Sequence, residues 1–318
     1  MKMELFFLCL SALALILFPQ DSTRGAIEGL RLCGSALIPA LLPFLMITRL
    51  IVDRLPEPKR AGSLPGLSST AFIPYGLSFV GGYPSGVAAV ASFYRQGKLS
   101  KAEARKILPY CNNSGPGFFV GVLGVSLWGD PKKGLLLYGI HVVSALTVFL
   151  LCYRAEALPV RIRPLVPREQ KSFPQSFQEA LGDSCSTMVR ICGLVVLFCV
   201  LRNLLAKILP HGLLPYMGLL ELSSGLLTTR KDSFVLWAIF MGWGGLCVHM
   251  QGMSIWQEAG LNIKGYFPKK LLHGLLSGVY AIMAEEQKWY LLGGVFLLCC
   301  VFFRFRQNWG RKNQNDRL

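Results

Sequence analysis

The sequence predicts an all-α polytopic membrane protein, with about eight transmembrane helices plus two re-entrant hairpins arranged as an inverted repeat. Of its 318 residues, 53% are hydrophobic and only 16% are charged, whereas about a quarter of a soluble domain is charged. The apolar residues form long continuous runs between short basic patches. Continuous runs favour helices over strands, and a helix satisfies its own backbone hydrogen bonds within lipid.

The predicted spans follow the apolar runs in chain order. They cover about residues 4–19, 26–48, 107–128, 134–153, 186–208, 233–254, 269–285 and 288–304. The first is predicted to be an uncleaved helix rather than a signal peptide, because the segment FPQD that follows it offers no pair of small residues for cleavage.

Two re-entrant hairpins are predicted at about residues 66–96 and 212–230, where Pro and Gly interrupt apolar stretches. The first of them contains FIPYG and then GGYPSG. Pro removes a backbone donor and Gly loosens a helix. Because lipid tolerates such a break only where protein or a water-filled cavity surrounds it, we expect the hairpins to line an internal chamber.

The net charge of +16 is placed mainly where the positive-inside rule expects it. With the N-terminus inside, most of the 33 Lys and Arg residues fall in inside segments, Lys269 and Lys270 among them. This arrangement requires segment 66–96 to return to the side from which it enters, since basic patches flank both of its ends. The charges do not form an exposed basic face interleaved with aromatics, so no nucleic-acid partner is expected.

Signatures of enzymes and metal sites are missing from the sequence. It has no HExxH or GxSxG motif, no Walker loop and no Asp-rich pair for magnesium. The ten Cys residues form no CxxC pair, which indicates neither a zinc site nor a disulfide framework. We therefore expect a protein that is not an enzyme and holds no metal or cofactor.

The chain divides into two related halves between terminal segments. The predicted divisions are an N-terminal transmembrane helix (1–25), a first repeat (26–153) with hairpin 66–96, a basic cytoplasmic linker (154–179), a second, inverted repeat (180–285) with hairpin 212–230, and a C-terminal transmembrane helix with a basic tail, disordered from Arg304 (286–318). Each repeat crosses the membrane an odd number of times, so the second is inverted relative to the first. Paired interrupted segments in inverted repeats indicate the binding site of a transporter.

Candidate substrate-binding residues lie in these interruptions. Two amides and a hydroxyl in the segment NNSGP suit a ligand with mixed hydrogen-bonding demands, and the following helix N-terminus would favour an anion. The alternative is a loop and N-cap at the membrane edge. The GYPSG turn is either a carboxylate-binding tip or a plain turn, and ELSSG is its counterpart in the second hairpin. The candidates are Tyr83, Ser85, Gly86, Asn112, Asn113, Ser114, Ser223 and Ser224.

Coupling or gating is predicted for Glu221, His249 and Gln251. Glu221 is the one charged residue of an otherwise uncharged stretch, where an ionisable group indicates function; the alternative is a salt bridge to Arg190 or Arg202, or a position at the membrane interface. His249 and Gln251 follow the Gly-rich run GWGG. A structural hydrogen bond between helices is the alternative for His249.

Four motifs, in order, give the chain a resemblance to a known family. They are IPALLPF (38–44), GYPSG (82–86), NNSGP (112–116) and GGLCVHMQ (244–251). Together they resemble the YlbJ-type sporulation integral membrane proteins, which have nucleoside-recognition (Gate) domains similar to parts of concentrative nucleoside transporters. The resemblance covers about residues 26–285 and makes both repeats Gate-like.

The resemblance implies passage of dipicolinic acid, a pyridine dicarboxylate, from the mother cell towards the forespore. The expected location is the cell (inner) membrane, as a multi-pass protein, and the mother-cell-derived outer forespore membrane stays open as a more specific location. The expected partners are a small anionic substrate, the lipid bilayer, and a proton or cation for coupling; a homo-oligomer stays open. Two alternatives also stay open: a nucleoside transporter of the related Gate class, and a non-transporting scaffold that acts through its basic loops.

Overall fold

The computed structural model describes residues 2–54, 62–64, 67–153, 172–222 and 233–315, and these are almost entirely helical. A short antiparallel strand pair, β1 (Gly62–Leu64) and β2 (Leu67–Ser68), is the exception. The helices described are α1 (Lys2–Leu17), α2 (Pro19–Leu32), α3 (Ile38–Arg54), α4 (Phe72–Gly81), α5 (Ser85–Arg95), α6 (Lys101–Ile107), α7 (Pro131–Cys152), α8 (Phe173–Ile208), α9 (Phe234–Trp243), α10 (Gly245–Glu258), α11 (Tyr266–Glu285) and α12 (Trp289–Asn315). Two π-helical segments (Cys33–Leu37, Gly117–Trp128) and three 3₁₀ turns (Ser69–Ala71, Leu108–Tyr110, His211–Leu219) complete them.

Several of these helices have the length and composition of membrane spans. In the described part of the chain, three are long and apolar enough to cross: Pro131–Cys152, Phe173–Ile208 and the joined pair Phe234–Glu258. Segments Pro19–Leu37 and Leu41–Ile51, bent by 50°, count as a fourth if they form one span. Large apolar side chains face outwards, among them Ile16 and Val189 at 74% and 72% exposure, as lipid contact requires. The prediction of an all-α membrane protein is confirmed, whereas eight spans and the inverted repeat stay predictions.

Two of the predicted spans are interrupted in the structure. The helix expected at 26–48 changes to a π-helical turn at Cys33–Leu37 and bends before α3 begins. The span expected at 107–128 is not one helix, because residues 111–115 are non-helical between a 3₁₀ turn and a π-helix, at the interruption that the segment NNSGP predicted. Prolines explain both interruptions, since Pro39, Pro43, Pro109 and Pro116 each lack the N–H that a helix needs.

Two boundaries also differ from prediction. Helix α8 begins at Phe173, so the end of the predicted linker 154–179 is helical; its residues 154–171 lie outside the described residues. Ser172 starts this helix with a capping box, its N–H donating to Gln175 Oε1 at 3.1 Å. The predicted disorder from Arg304 is wrong, because α12 continues to Asn315. Its Arg, Gln and Lys residues have helix propensities close to that of Ala, so polarity alone does not end a helix.

Helices α2 and α8 pack antiparallel with their backbones in contact. A Cβ on Gly25 would lie 2.7 Å from Val200 Cα, and one on Gly29 would lie 2.7 Å from Val196 Cα. Small residues four apart allow helices in membranes to approach this closely. These helices begin the two predicted repeats, and an antiparallel pairing is what an inverted second half would give.

Ion pairs add to the contacts that α8 makes with α2 and α3. Lys207 Nζ lies 2.6 Å from Asp21 Oδ2, and Arg202 pairs with Glu28. At the other end of the contact, Arg49 Nη2 of α3 lies 3.5 Å from Asp183 Oδ2 of α8. Because residue numbers rise along one partner and fall along the other, the pairs fix the antiparallel register.

We expect Gly29→Ala to destabilise the protein by about 1–3 kcal/mol, because the added methyl overlaps the backbone of α8. Thermal or denaturant unfolding in detergent measures this change. Gly193→Ala is the matched control, since nothing lies within 4 Å of its Cβ position. The control should leave stability unchanged or raise it by up to about 1 kcal/mol through helix propensity. Equal stability of the two variants would contradict the backbone contact.

A buried carboxylate fastens α6 to the strand pair. Glu103 Oε1 accepts from Ser68 N at 2.9 Å, and its Oε2 accepts from Ser100 N at 3.0 Å, which forms a capping box with the Ser100 side chain. Burial disfavours the charged carboxylate, but the hydrogen bonds from Ser68 and Ser100 outweigh it and hold the pKa of Glu103 below its ordinary value. These hydrogen bonds fix the short helix α6, which precedes the non-helical segment 111–115.

The interior is divided between apolar clusters, and the polar site lies between two of them. One cluster gathers side chains of α5, α6, α7 and α10 with Tyr110 and Tyr266. The next gathers side chains of the π-helix 117–128 with α7, α9 and α11. A third, around Cys33 and Met188, joins α3 and α8. Helices α7 and α11 contribute side chains to both of the first two clusters.

Candidate functional site

Three interrupted segments meet in the interior. They are the break at residues 82–84 between α4 and α5, the non-helical segment 111–115, and the break at Gly244 between α9 and α10. A Cβ on Gly115 would lie 2.9 Å from Gly82 N, so the first two segments touch through their backbones. Tyr83 Oη donates to Met241 O at 2.6 Å, which joins the first break to the third.

Glycine is required at two positions in or next to these breaks, for two different reasons. Gly244 has a φ of +94°, which ends α9 in a conformation that side chains disfavour. Gly86 has no such φ, but a Cβ there would lie 2.1 Å from Cys111 O and 2.3 Å from Ser78 Cβ. Helix α5 can therefore press against segment 111–115 only with glycine at this position.

Several predicted binding residues hold the breaks together in this closed arrangement. Asn113 Nδ2 donates to Ser78 Oγ at 2.9 Å and to Tyr110 O at 2.7 Å. Ser85 Oγ donates to Gly82 O at 2.5 Å. These contacts secure the local backbone; binding of a substrate by Tyr83, Ser85, Gly86, Asn112, Asn113 and Ser114 stays a prediction.

The other predicted residues are placed less completely. Ser223 and Ser224 lie outside the described residues. Glu221 is buried next to α10, where Cys247 N donates to Leu220 O at 2.8 Å. Gln251 is buried on α10 and its Nε2 donates to Cys247 Sγ at 3.4 Å. Coupling or gating by Glu221, His249 and Gln251 stays a prediction.

A polar stripe on α11 was missed by sequence reasoning. Tyr266, Lys270, His273 and Ser277 are spaced like residues on one helix face, and all four are buried. The sequence analysis placed Lys270 among the inside basic residues, but its side chain is 2% exposed. The spacing of polar residues in an otherwise apolar helix was the signal that could have identified this stripe.

Lys270 connects this stripe to the non-helical segment 111–115. Its Nζ donates to Asn112 O at 2.8 Å and lies 3.0 Å from His273 Nδ1. His273 Nε2 lies 3.1 Å from His141 O on α7. His141 Nε2 in turn accepts from Ser114 N at 3.2 Å. The helices α7 and α11 thus hold the backbone of segment 111–115 from both sides.

A second branch joins Asn112 to His249. Asn112 Nδ2 donates to Tyr266 Oη, and this hydroxyl lies 2.9 Å from His249 Nδ1. The ring of Tyr266 also packs edge-on against Trp256, with ring centroids 4.8 Å apart. His249 of the predicted coupling set and Asn112 of the predicted binding set therefore belong to one network.

Three buried polar atoms of this network have no hydrogen-bond partner. They are Asn112 Oδ1, His141 Nδ1 and His249 Nε2. Buried polar atoms are normally paired, so orphaned ones indicate a function. Among the described residues, no three His, Cys, Asp or Glu side chains lie close enough together to hold a metal ion. The groups that this network could present to a ligand are hydrogen-bond donors and acceptors together with the amine of Lys270.

Comparison with known proteins gives one relative. The chain is 23% identical to the sporulation integral membrane protein YlbJ of Bacillus subtilis (strain 168), over 87% of this chain and 81% of that protein. No family model matches the chain, and no solved structure matches it. The match to YlbJ confirms the resemblance to the YlbJ-type family.

Proposed function

We propose that this YlbJ-type membrane protein acts in sporulation by moving a small anionic solute, dipicolinic acid, across its membrane. Its similarity to a sporulation integral membrane protein supports a role in sporulation and a membrane location. One observation carries the transport proposal: interrupted segments from both predicted halves meet around a buried polar network. Broken helices that meet in the interior are the usual construction of a substrate site in secondary transporters.

The free-energy cost of burying these polar groups favours a transporter over a scaffold. Burial of ionisable and amide groups within a membrane protein costs free energy, and groups buried in this way usually mark a substrate path. A scaffold that acted through its basic loops would need none of the contacts among Asn112, Lys270 and His141. The site is also closed, since Asn112 is only 1% exposed. A substrate could reach it only if the halves move, as alternating access requires.

The groups around the site favour a carboxylate ligand over a nucleoside. Amide, imidazole and ammonium donors surround the segment, and the N-terminus of the π-helix 117–128 follows it. Free backbone N–H groups at a helix N-terminus stabilise negative charge. A pyridine dicarboxylate offers acceptors to all of these donors.

Uptake of radiolabelled dipicolinate by the purified protein in liposomes tests the proposal, with and without a proton gradient. We expect saturable uptake above that of empty liposomes, and no competition from nucleosides. Dependence on the gradient would identify proton coupling. Absence of uptake under both conditions would refute transport of dipicolinate, and competition by nucleosides would favour the related carrier class instead.

Variants at the first two interruptions test the site itself. We expect Asn113→Ala and Ser85→Ala each to lower uptake, because they release the backbone of segments 111–115 and 82–84. Gly76→Ala in the adjacent α4 is the control, since its Cβ position is open. Full uptake by both site variants would show that the site lies elsewhere.

A further inference from the structure

We infer that Lys270 and His141 form the subsite that binds a carboxylate group of the ligand, with the ammonium of Lys270 selecting for negative charge. The inference rests on the proposed function, because it assigns the chemistry of that same site. Neither residue belongs to the interruptions. Lys270 lies on α11 and His141 on α7, and their side chains contact the backbone of segment 111–115 at Asn112 and Ser114.

Lys270 is a buried lysine that has no acidic partner among the described residues. Its polar contacts are Asn112 O and His273 Nδ1, and within the described ranges no carboxylate lies within 4.0 Å of its Nζ. Arg202, a buried arginine of the described interior, by contrast pairs with Glu28. A buried ammonium without a counter-charge is strongly disfavoured. An anionic ligand would supply the charge that the protein does not.

The carbonyl of His141 fixes the directions of the hydrogen bonds around Lys270. A carbonyl oxygen can only accept, so His273 Nε2 donates to His141 O. In the neutral imidazole, His273 Nδ1 then accepts, and Lys270 is the donor to it. An ammonium has three N–H groups. Asn112 O and His273 Nδ1 take two of them, which leaves the third for a ligand.

His141 has one donor left by the same reasoning. Its Nε2 accepts from Ser114 N, so the proton of the neutral ring is on Nδ1. This Nδ1 is buried and has no partner. The rings of His141 and His273 are neighbours, with centroids 4.6 Å apart, and His273 Nδ1 is the ring atom that Lys270 contacts. The two remaining donors, one of them charged, match the two oxygens of a carboxylate.

The contact between Lys270 and Asn112 also links the subsite to the interruption. While the site is closed, the backbone carbonyl of Asn112 accepts from the ammonium. A carboxylate is a stronger acceptor for an ammonium than a neutral carbonyl is. A carboxylate on the third N–H would therefore compete with Asn112 O for Lys270 and weaken the contact that holds segment 111–115.

Binding of two matched probes to the full-length protein in detergent tests the assignment. The probes are dipicolinate and its neutral diamide, pyridine-2,6-dicarboxamide, which keeps the ring and the shape. We expect the protein to bind dipicolinate and to discriminate against the diamide. Lys270→Met should weaken dipicolinate binding by about thirtyfold or more, as loss of a buried charged partner does, and should remove that discrimination. His141→Phe should weaken dipicolinate binding while the discrimination remains.

Two further variants separate ligand binding from folding. Lys264→Met removes the same charge from an exposed position and should bind dipicolinate like the wild type. Lys270→Arg keeps the charge and should retain the preference for dipicolinate over the diamide even if its affinity falls. Each variant is compared through the shift of its own melting temperature on adding a probe, so a change in basal stability does not affect the comparison.

Three results would overturn the assignment. They are equal binding of the two probes by the wild type, no binding of dipicolinate by the wild type, and an unchanged preference for dipicolinate in Lys270→Met. Failure of the proposed function is a different result. Dipicolinate binding that depends on Lys270, without uptake into liposomes, would refute transport and leave the carboxylate subsite standing.

Discussion

Replacement of Gly86 by alanine should leave little folded protein. The new Cβ would lie 2.1 Å from Cys111 O, 2.3 Å from Ser78 Cβ and 2.8 Å from Ser78 Cα, distances that real Cβ atoms do not show. Backbone atoms supply two of the three overlaps, so rotation of a side chain cannot relieve them. We expect a loss of about 3 kcal/mol or more in the free energy of unfolding, together with loss of uptake. Unfolding in mixed micelles and the yield of monodisperse protein measure it.

The matched control for Gly86→Ala is Gly76→Ala, one helix earlier. Nothing lies within 4 Å of the Cβ position at Gly76, and the residue is exposed. Alanine there should change stability by no more than helix propensity does, about 1 kcal/mol in the favourable direction. A folded, active Gly86→Ala protein would mean that α5 and segment 111–115 are further apart than the structure has them.

Exchange of Asn113 for aspartate should damage the site almost as much, although the two side chains have nearly the same shape. Asn113 Nδ2 donates to Tyr110 O and Ser78 Oγ, and Ser78 Oγ itself donates to Tyr75 O. An ionised carboxylate at this position cannot donate, so one of its oxygens would face the Tyr110 carbonyl in a buried place. We expect Asn113→Asp to cost about 2–4 kcal/mol of stability at neutral pH and to abolish most uptake.

The pH dependence of Asn113→Asp tests whether the missing hydrogen-bond donor causes the loss of stability and uptake. Protonation of the new carboxyl restores one donor, so the deficit in stability and uptake should shrink as the pH falls. Asn262→Asp is the control, because Asn262 is exposed and its change should be neutral. A deficit that is independent of pH would show that the donor is not what the site requires.

The positions of the interruptions were accessible from the sequence because local chemistry sets them. Pro84, Pro116 and the pair Gly244 and Gly245 disfavour a regular helix at their positions through their own backbone chemistry. The sequence analysis therefore identified Tyr83, Asn112 and His249 as members of a site, and the structure brings these three segments together. The break at 33–37 was not predicted, because the sequence there looks like part of a continuous apolar run.

Lys270 shows the opposite case. In the sequence it follows Lys269 next to an apolar run, which is the usual position of an interfacial lysine. The helix instead begins at Tyr266, so Lys270 lies within it on the face that meets Asn112. Helical spacing identifies which residues share a face, but it does not identify the neighbour of that face.

The amino-acid sequence alone determined that this is an α-helical membrane protein with polar, broken segments in its interior. Composition and Pro and Gly positions carry that information, because lipid and the backbone act on each segment separately. Only the tertiary structure decided that α2 and α8 pack antiparallel through Gly25 and Gly29, and that Lys270 is buried against Asn112. Both depend on contacts between residues far apart in the chain, which no local pattern specifies.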